Sequence, residues 1–163
     1  TLDFTFTGIY NAPTDTALPS VTYGNQATPL IFKNGNTSSF ALLSYAGALQ
    51  SLSFDIGNSI VYRELVGGTK EVLLTDRAAS GSVTIEAPTM AQKDYFSAAL
   101  SDTSLGNIQV THGTAAGNIC KFSSTKVDIG DVSYGEMDGV NMLEIPYTLV
   151  PSSANDELTF LFT

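Results

Sequence analysis

The stretch that decides the fold is residues 50–100, which read QSLSFDIGNSIVYRELVGGTKEVLLTDRAASGSVTIEAPTMAQKDYFSAAL. Four runs rich in β-forming residues are separated by short turns, most of which contain glycine. Apolar residues alternate with hydroxyl and carboxylate residues in the first run (Leu52, Phe54 and Ile56 against Ser51, Ser53 and Asp55) and in the last (Val83 and Ile85 against Ser82, Thr84 and Glu86). Alternation with a period of two places these two sets on opposite faces of a sheet. We therefore expect residues 51–86 to form a central meander with one apolar face and one acidic, hydroxyl-rich face.

One helix is predicted after this meander, over residues 89–100. Pro88 precedes Thr89, which is a suitable N-cap residue, and apolar side chains then recur at helical spacing (Met90, Tyr95, Phe96, Ala99 and Leu100). We expect Tyr95, Phe96 and Leu100 to anchor the helix. If Phe96 is fully buried, its replacement by alanine should cost about 3–5 kcal/mol.

The rest of the chain is also predicted to be β-structure. Leu2, Phe4 and Phe6 alternate with polar residues, which predicts a strand over residues 2–10, and residues 11–28 carry Pro13 and Pro19 and form a long loop. Several further short strands follow the helix at the spacing typical of sandwiches and barrels. The prediction is a single mainly β domain over residues 1–163: a two-sheet β-sandwich or barrel with one flanking α-helix.

The charge balance excludes nucleic-acid binding as the function. The 163 residues carry a net charge of −9, and the seven basic residues are scattered singly along the sequence, whereas nucleic-acid-binding surfaces show clustered Lys and Arg. Ser and Thr together supply 36 residues, which gives the strands polarity without charge. No apolar run is long enough to span a membrane, so we expect no membrane association.

Motifs for catalysis or metal binding are absent from the sequence. One His and one Cys, His112 and Cys120, cannot supply the usual nitrogen and sulfur ligand sets or a hydrolytic triad. The loop 128–138 offers oxygen ligands but lacks the spacing of an EF-hand. We predict no enzyme activity and no cofactor or metal. An acidic glycosidase stays open as an alternative, because several carboxylates lie on predicted strands and two of them could meet in a cleft.

The central meander resembles the major tail tube proteins of long-tailed bacteriophages and prophages. The resemblance lies in the string LSFDIGN…VYRELVGG…EVLLTDR…GSVTIEAP, and it continues through the predicted helix and the segment HGTAAGN to PSSANDELT near the C-terminus. It thus covers most of the chain. The proteins that we would compare with it are longer at the N-terminus, so this chain is interpreted as the C-terminal portion of such a protein.

The resemblance implies a structural protein of the virion tail, made in the cytoplasm of the bacterial host. Subunits of such a protein form rings, either hexamers or trimers of double domains, which stack into a tube and contact other tail proteins. DNA leaves the capsid through this tube without being specifically bound. An acidic, hydroxyl-rich lining suits that role because it repels phosphate.

Two sets of residues are candidates for the functional surfaces. The lumen-lining candidates are the acidic residues of the meander: Asp55, Glu64, Glu71 and Glu86. The inter-subunit candidates are Asn11, Pro13, Pro19 and Arg77, the first three because the long loop is a candidate assembly arm. A carbohydrate- or receptor-binding β-sandwich module of a phage tail or surface protein is a further alternative, with Tyr23, Tyr45 and Tyr134 as its candidate contact residues.

Overall fold

The structure is a computed structural model that describes residues 2–22, 24, 28–101, 103 and 105–163. Within these ranges it contains ten strands and one helix. In chain order they are β1 (Thr37–Leu42), β2 (Leu49–Asp55), β3 (Asn58–Glu64), β4 (Lys70–Arg77), β5 (Ser80–Glu86), α1 (Tyr95–Ala99), β6 (Gly106–His112), β7 (Cys120–Ile129), β8 (Ser133–Met137), β9 (Val140–Leu149) and β10 (Thr159–Phe162). The prediction of a mainly β, two-sheet fold with one helix is confirmed.

The chain divides into two compact units. One comprises the segments Thr1–Thr28 and Gly57–Arg77, and its sheet is the two-stranded hairpin β3–β4. The other comprises Pro29–Ile56 and Ala78–Thr163 and contains an eight-stranded antiparallel sheet together with α1. The single domain over residues 1–163 stays a prediction.

The eight-stranded sheet runs in the order β1-β6-β7-β9-β5-β2, with β10 also paired to β7 and β8 to β9. The sheet curves over its core, since the ring of Phe54 on the edge strand β2 stacks on Phe122 of β7 at 4.7 Å and lies 5.2 Å from Phe160 of β10. The fully buried side chains of this core are Leu42, Val83, Ile85, Tyr95, Ile108, Val127 and Ile145. Burial of these aliphatic and aromatic groups supplies the driving force for folding of this unit.

The four strands of residues 51–86 do not form the predicted meander. Instead β2 pairs with β5, from Leu49 opposite Ile85 to Asp55 opposite Ser80, and β3 pairs with β4. Two residues between β2 and β3 (56–57) and two between β4 and β5 (78–79) separate the two ladders. The hairpin β3–β4 is therefore inserted in the sequence between the two strands of the pair β2–β5. The other edge of β5 pairs with β9.

The helix is shorter than the predicted span of residues 89–100. Asp94 is its N-cap: this residue has an extended backbone, and its side chain accepts hydrogen bonds from the Ser97 backbone N–H at 2.9 Å and from the Ser97 hydroxyl at 2.6 Å. Thr89 lies at the start of a preceding turn, and its N–H and its hydroxyl both donate to Gln92 Oε1 at 3.0 Å. The helix therefore begins only after Asp94. The carboxylate of this residue accepts a hydrogen bond from the N–H three residues onward, as N-cap side chains do.

Tyr95 alone of the three predicted anchors is fully buried. Its hydroxyl donates to the Leu42 carbonyl at 3.2 Å, and burial raises the pKa of its phenol. Phe96 is only half-buried, against Tyr134, and Leu100 is exposed, so the prediction was wrong for Leu100.

We expect Tyr95→Ala to lower the free energy of unfolding by about 3–5 kcal/mol, because it removes a buried ring and leaves a cavity. Phe96→Ala, whose ring is partly in solvent already, should cost much less. Urea denaturation of both variants measures the difference. Equal losses at the two positions would contradict the assignment of Tyr95 as the anchor.

The predicted strand over residues 2–10 is absent. Residues 2–10 are exposed and have no strand partner in the part of the chain that the structure describes. Alternation favours a strand only when another strand can accept its backbone hydrogen bonds. Residues 2–10 therefore have the alternation of a strand but do not pair with another strand in the described part of the chain.

Candidate functional site

The exposed side of strands β2, β5 and β9 is an acidic face, which we define by Asp55, Glu86 and Glu144. All three carboxylates are exposed, and hydroxyl residues lie between them. The register aligns these side chains in rows across the strands: Ser51, Thr84 and Glu144 form one row, and Ser53, Ser82 and Pro146 the next. Asp55 and Glu86 thus occupy the polar side of the sheet that their alternation indicated.

The strands that carry the acidic face are rich in acidic residues and poor in basic ones. The sequences of β2, β5, β8 and β9 contain no Lys or Arg, whereas they contain Asp55, Glu86, Glu136 and Glu144. The lysines of this sheet, Lys121 and Lys126, lie on the neighbouring strand β7, so the excess of carboxylates on β2, β5, β8 and β9 favours a negative potential that repels polyanions.

Packing on the other side of the sheet fixes which way this face points. The Tyr147 hydroxyl donates to the Ser53 carbonyl at 2.8 Å, which ties β9 to β2 across β5, and burial raises the pKa of this phenol. The tyrosine passes over Gly81 of β5, where a Cβ atom would lie 2.2 Å from the Ser53 oxygen and 2.6 Å from the tyrosine ring. Glycine is thus required at this crossing.

We expect Gly81→Ala to lower the free energy of unfolding by about 1–3 kcal/mol, as overpacking does in a dense core. A matched control is Gly8→Ala, because no atom lies within 4 Å of the Cβ position at Gly8. Thermal denaturation of both variants measures the effect. A Gly81→Ala protein as stable as the control would contradict the close approach of Tyr147.

The two other lining candidates, Glu64 and Glu71, lie on the hairpin β3–β4 and are ion-paired. Lys70 Nζ lies 2.7 Å from Glu64, which also accepts a hydrogen bond from the Tyr62 hydroxyl at 2.7 Å. The contact with Lys70 first, and then that with Tyr62, holds the pKa of Glu64 below its usual range. Glu71 pairs with Arg63 across the strands. Glu64 and Glu71 thus belong to a different sheet from the one that carries the acidic face.

Both faces of this hairpin carry exposed apolar side chains. Ile60 and Tyr62 lie opposite Leu74 and Val72 on one face, and Val61 lies opposite Leu73 on the other. Ile60, Val61, Tyr62, Leu65, Val66 and Leu74 are all among the exposed large hydrophobic residues. A two-stranded hairpin is marginally stable alone in water, and exposed apolar patches mark interaction sites. The hairpin has the properties of an assembly surface.

The candidate assembly arm has the same character. Asn11, Pro13 and Pro19 are exposed. Large apolar side chains are exposed along the same segment and just before it: Leu2, Phe4, Phe6, Ile9, Tyr10, Leu18 and Val21. Arg77, the fourth inter-subunit candidate, is partly buried at the end of β4.

The aromatic residues proposed for a carbohydrate site do not share one environment. Tyr45 packs edge-on against Tyr95 with ring centroids 6.4 Å apart, while Tyr134 is exposed and tilted over Phe96 at 5.3 Å. Tyr23 lies outside the described residues. In the described part of the chain no group of three or more His, Cys, Asp or Glu side chains is arranged to hold a metal ion, and no helix there is long and apolar enough to cross a membrane.

The acidic residue that sequence reasoning left out of the lining set is Glu144. The alternation of buried Leu143, Ile145 and Tyr147 with exposed Glu144 and Pro146 was the available signal. The pairing of β9 with β5, which brings Glu144 beside Thr84, is long-range and could be obtained only from the structure.

Comparison with known proteins identifies a family and similar solved structures. A family model described as phage tail tube protein matches residues 1–149. No curated protein matches the chain. The sheath/tube terminator of PVC, an extracellular contractile injection system, seen by cryo-EM in the extended state, is similar with a TM-score of 0.60 at 9% identity, over 83% of this chain and 99% of that one. The tail of an empty GTA particle, refined with C6 symmetry, gives a TM-score of 0.41 at 21% identity, over 72% of this chain and 83% of that one.

Proposed function

The chain belongs to the phage tail tube protein family, and on this basis we propose that its copies assemble into stacked rings that form the wall of a tube through which DNA passes. It is a structural tail tube protein. Its sheets supply the wall, and its role is carried by assembly rather than by catalysis.

The acidic face is the single observation that carries the proposal of a DNA conduit. Each base-pair step of DNA brings two phosphate charges, so a lining with Lys or Arg would bind the duplex and hold it. Asp55, Glu86 and Glu144 on strands without any basic residue present the opposite sign. Hydroxyl groups between them keep the surface wetted without adding charge. DNA then slides past without specific contacts.

We assign the lumen lining first to Asp55 and Glu86, and add Glu144. Glu64 and Glu71 remain lining candidates of lower weight, because they lie on the hairpin β3–β4, where they pair with Lys70 and Arg63, and not on the strands of the acidic face. Their pairing suits a position at which two subunits meet, where an uncompensated carboxylate would oppose close approach.

Two surfaces supply the contacts between copies. The hairpin β3–β4 and the arm that includes Asn11, Pro13 and Pro19 both expose apolar side chains that water solvates poorly. Assembly would bury them, and Arg77 at the base of the hairpin would lie within this contact. Hexamers and trimers of double domains both remain compatible with these surfaces.

The proposal places the protein in the virion tail, in contact with other tail proteins, after synthesis in the cytoplasm of the bacterial host. It involves no cofactor, no enzymatic step and no membrane. A single domain over residues 1–163 is part of this proposal.

Sedimentation velocity over a range of protein concentrations tests the proposal. We expect large species to appear above a threshold concentration, and negative-stain electron microscopy of those fractions should show rings or tubes. A monomer that persists at all concentrations would favour the binding-module or glycosidase alternatives instead.

A further inference from the structure

His112, the single histidine of the chain, is the last residue of β6 and lies beside the segment that leads into β1. We call residues 29–36 the root segment, because they follow the arm directly and belong to the same compact unit as the eight-stranded sheet. None of the ten described strands includes the root segment. Its conformation therefore depends on individual hydrogen bonds to the neighbouring sheet.

Both ring nitrogens of His112 are hydrogen-bonded to this part of the chain. Nε2 lies 3.2 Å from the Leu30 carbonyl oxygen, and Nδ1 lies 3.1 Å from the hydroxyl of Thr37 at the start of β1. A carbonyl oxygen can only accept, so Nε2 carries the ring proton and donates it. In the neutral ring Nδ1 then has a lone pair, which accepts a hydrogen bond from the Thr37 hydroxyl. These contacts assign the Nε2–H tautomer to the neutral imidazole.

Two further contacts hold the root segment at the same place. The ring of Phe32 is tilted over the His112 imidazole, with centroids 5.5 Å apart. The N–H of Gly113, the next residue along the chain, donates to the Asn36 carbonyl at 2.8 Å. His112 is partly buried, and hydrogen bonds that are shielded from water are stronger than exposed ones. The root segment is thus attached to the end of β6 at several points along its length.

The imidazole connects the two ends of the root segment. Leu30 and Thr37 are seven residues apart in the sequence, and a single planar ring contacts both of them. A side chain that bridges two such points restricts the backbone between them, because neither end can move without loss of a hydrogen bond. The arm joins the root segment at residue 29, so this bridge also fixes the point at which the arm leaves the sheet unit.

We propose that His112 is a positioning residue that anchors the root segment to β6 and thereby fixes the point from which the arm extends toward a neighbouring copy. The anchor is a property of one chain. Its effect on assembly rests on the proposed function, in which the arm supplies contacts between copies.

The tautomer is tested by NMR of the full chain labelled with ¹⁵N. The chain has one histidine, so its imidazole signals need no assignment among several rings. At about pH 9, well above the ordinary pKa of imidazole, we expect a protonated Nε2 and an unprotonated Nδ1. An Nδ1–H ring, or an even mixture of the two tautomers as in a solvated imidazole, would contradict the anchor.

Hydrogen exchange of the His112→Phe chain tests whether the imidazole holds the root segment. Phenylalanine keeps a planar ring beside Phe32 and removes both hydrogen bonds. The Asn36 and Thr37 N–H groups donate to the Lys33 carbonyl at 3.1 and 3.0 Å and report on the root segment. We expect their exchange to become about tenfold faster or more, as the loss of two hydrogen bonds implies. Exchange in β9 should keep the wild-type rate.

Substitutions of Thr37 provide the matched controls. Thr37→Val removes the hydroxyl that Nδ1 accepts from and should speed exchange at Asn36 by a smaller factor than His112→Phe does. Thr37→Ser keeps the hydroxyl and should exchange at the wild-type rate. Unchanged exchange at Asn36 in the His112→Phe chain, or an equal rise there and in β9, would contradict the anchor.

Assembly of the same variant tests the effect on the arm. We expect His112→Phe to raise the threshold concentration for tube formation about tenfold, because a loosened arm loses more conformational freedom when copies meet. A loosened root segment with an unchanged threshold would contradict the positioning of the arm and leave the tube assignment intact. A wild-type chain that forms no tubes would contradict the proposed function, while the tautomer and the exchange rates still decide the anchor.

Discussion

Replacing Asp55 and Glu86 together by lysine is expected to leave tubes able to form and to make DNA bind inside them. Each replacement exchanges a negative for a positive charge, so the double variant gains four charge units in every subunit. Both residues are exposed on the polar side of the sheet, opposite the core, so that folding should tolerate the change. Repeated around each ring, the added cations would meet the phosphates of the duplex along the whole lumen.

Salt dependence is the readout of this variant. Neutralisation of phosphates by lysine releases counterions, so DNA retention should weaken steeply as the salt concentration rises. Asp55→Asn with Glu86→Gln is the size-matched control, which removes charge without adding cations and should retain DNA much less. The measurement is DNA release from particles reconstituted with each variant. Normal release by the lysine variant at low salt would contradict the electrostatic lining and leave the tube assignment standing.

Deletion of residues 11–20 is expected to abolish polymerisation while leaving a folded subunit. The segment contains Asn11, Pro13 and Pro19, is exposed throughout, and lies in a different compact unit from the eight-stranded sheet that holds the core. Circular dichroism and thermal denaturation should therefore match those of the wild type, while sedimentation shows only small species.

A Gly/Ser segment of the same length in place of residues 11–20 is the control for this deletion. If the arm contributes specific contacts, for instance through the exposed Leu18, the substituted chain should also fail to polymerise. Polymerisation of the substituted chain would show that the segment acts only as a spacer. Polymerisation of the deletion variant itself would contradict a role of the arm in assembly.

Local patterns in the sequence were sufficient to predict β2 and β5 and the facing of their side chains. The alternation around Phe54 and Val83 correctly placed Asp55 and Glu86 on the polar side, because period two is a property of each strand alone. Pairing between strands is a long-range property. The nesting of β3–β4 within the pair β2–β5 depends on which strand edges remain available after β9 has paired with β5, and local pattern does not contain this information.

The two remaining differences arise from interactions that the pattern of apolar residues does not show. Asp94 ended the predicted helix because its carboxylate binds the N–H of Ser97, and a stripe of apolar residues does not reveal that choice. Alternation at Phe4 and Phe6 predicted a strand, but a strand also needs a neighbouring edge. In an assembling protein that edge can belong to another copy, so that the residue pattern reflects the assembly rather than the single chain.

Helical reconstruction by cryo-electron microscopy of tubes grown from the purified protein tests the central claim most directly. We expect a continuous tube with β2, β5 and β9 in its inner wall, and with the side chains of Asp55, Glu86 and Glu144 pointing into the lumen. Tubes whose lumen is lined by another surface, with these three carboxylates on the outside or buried between subunits, would contradict the claim.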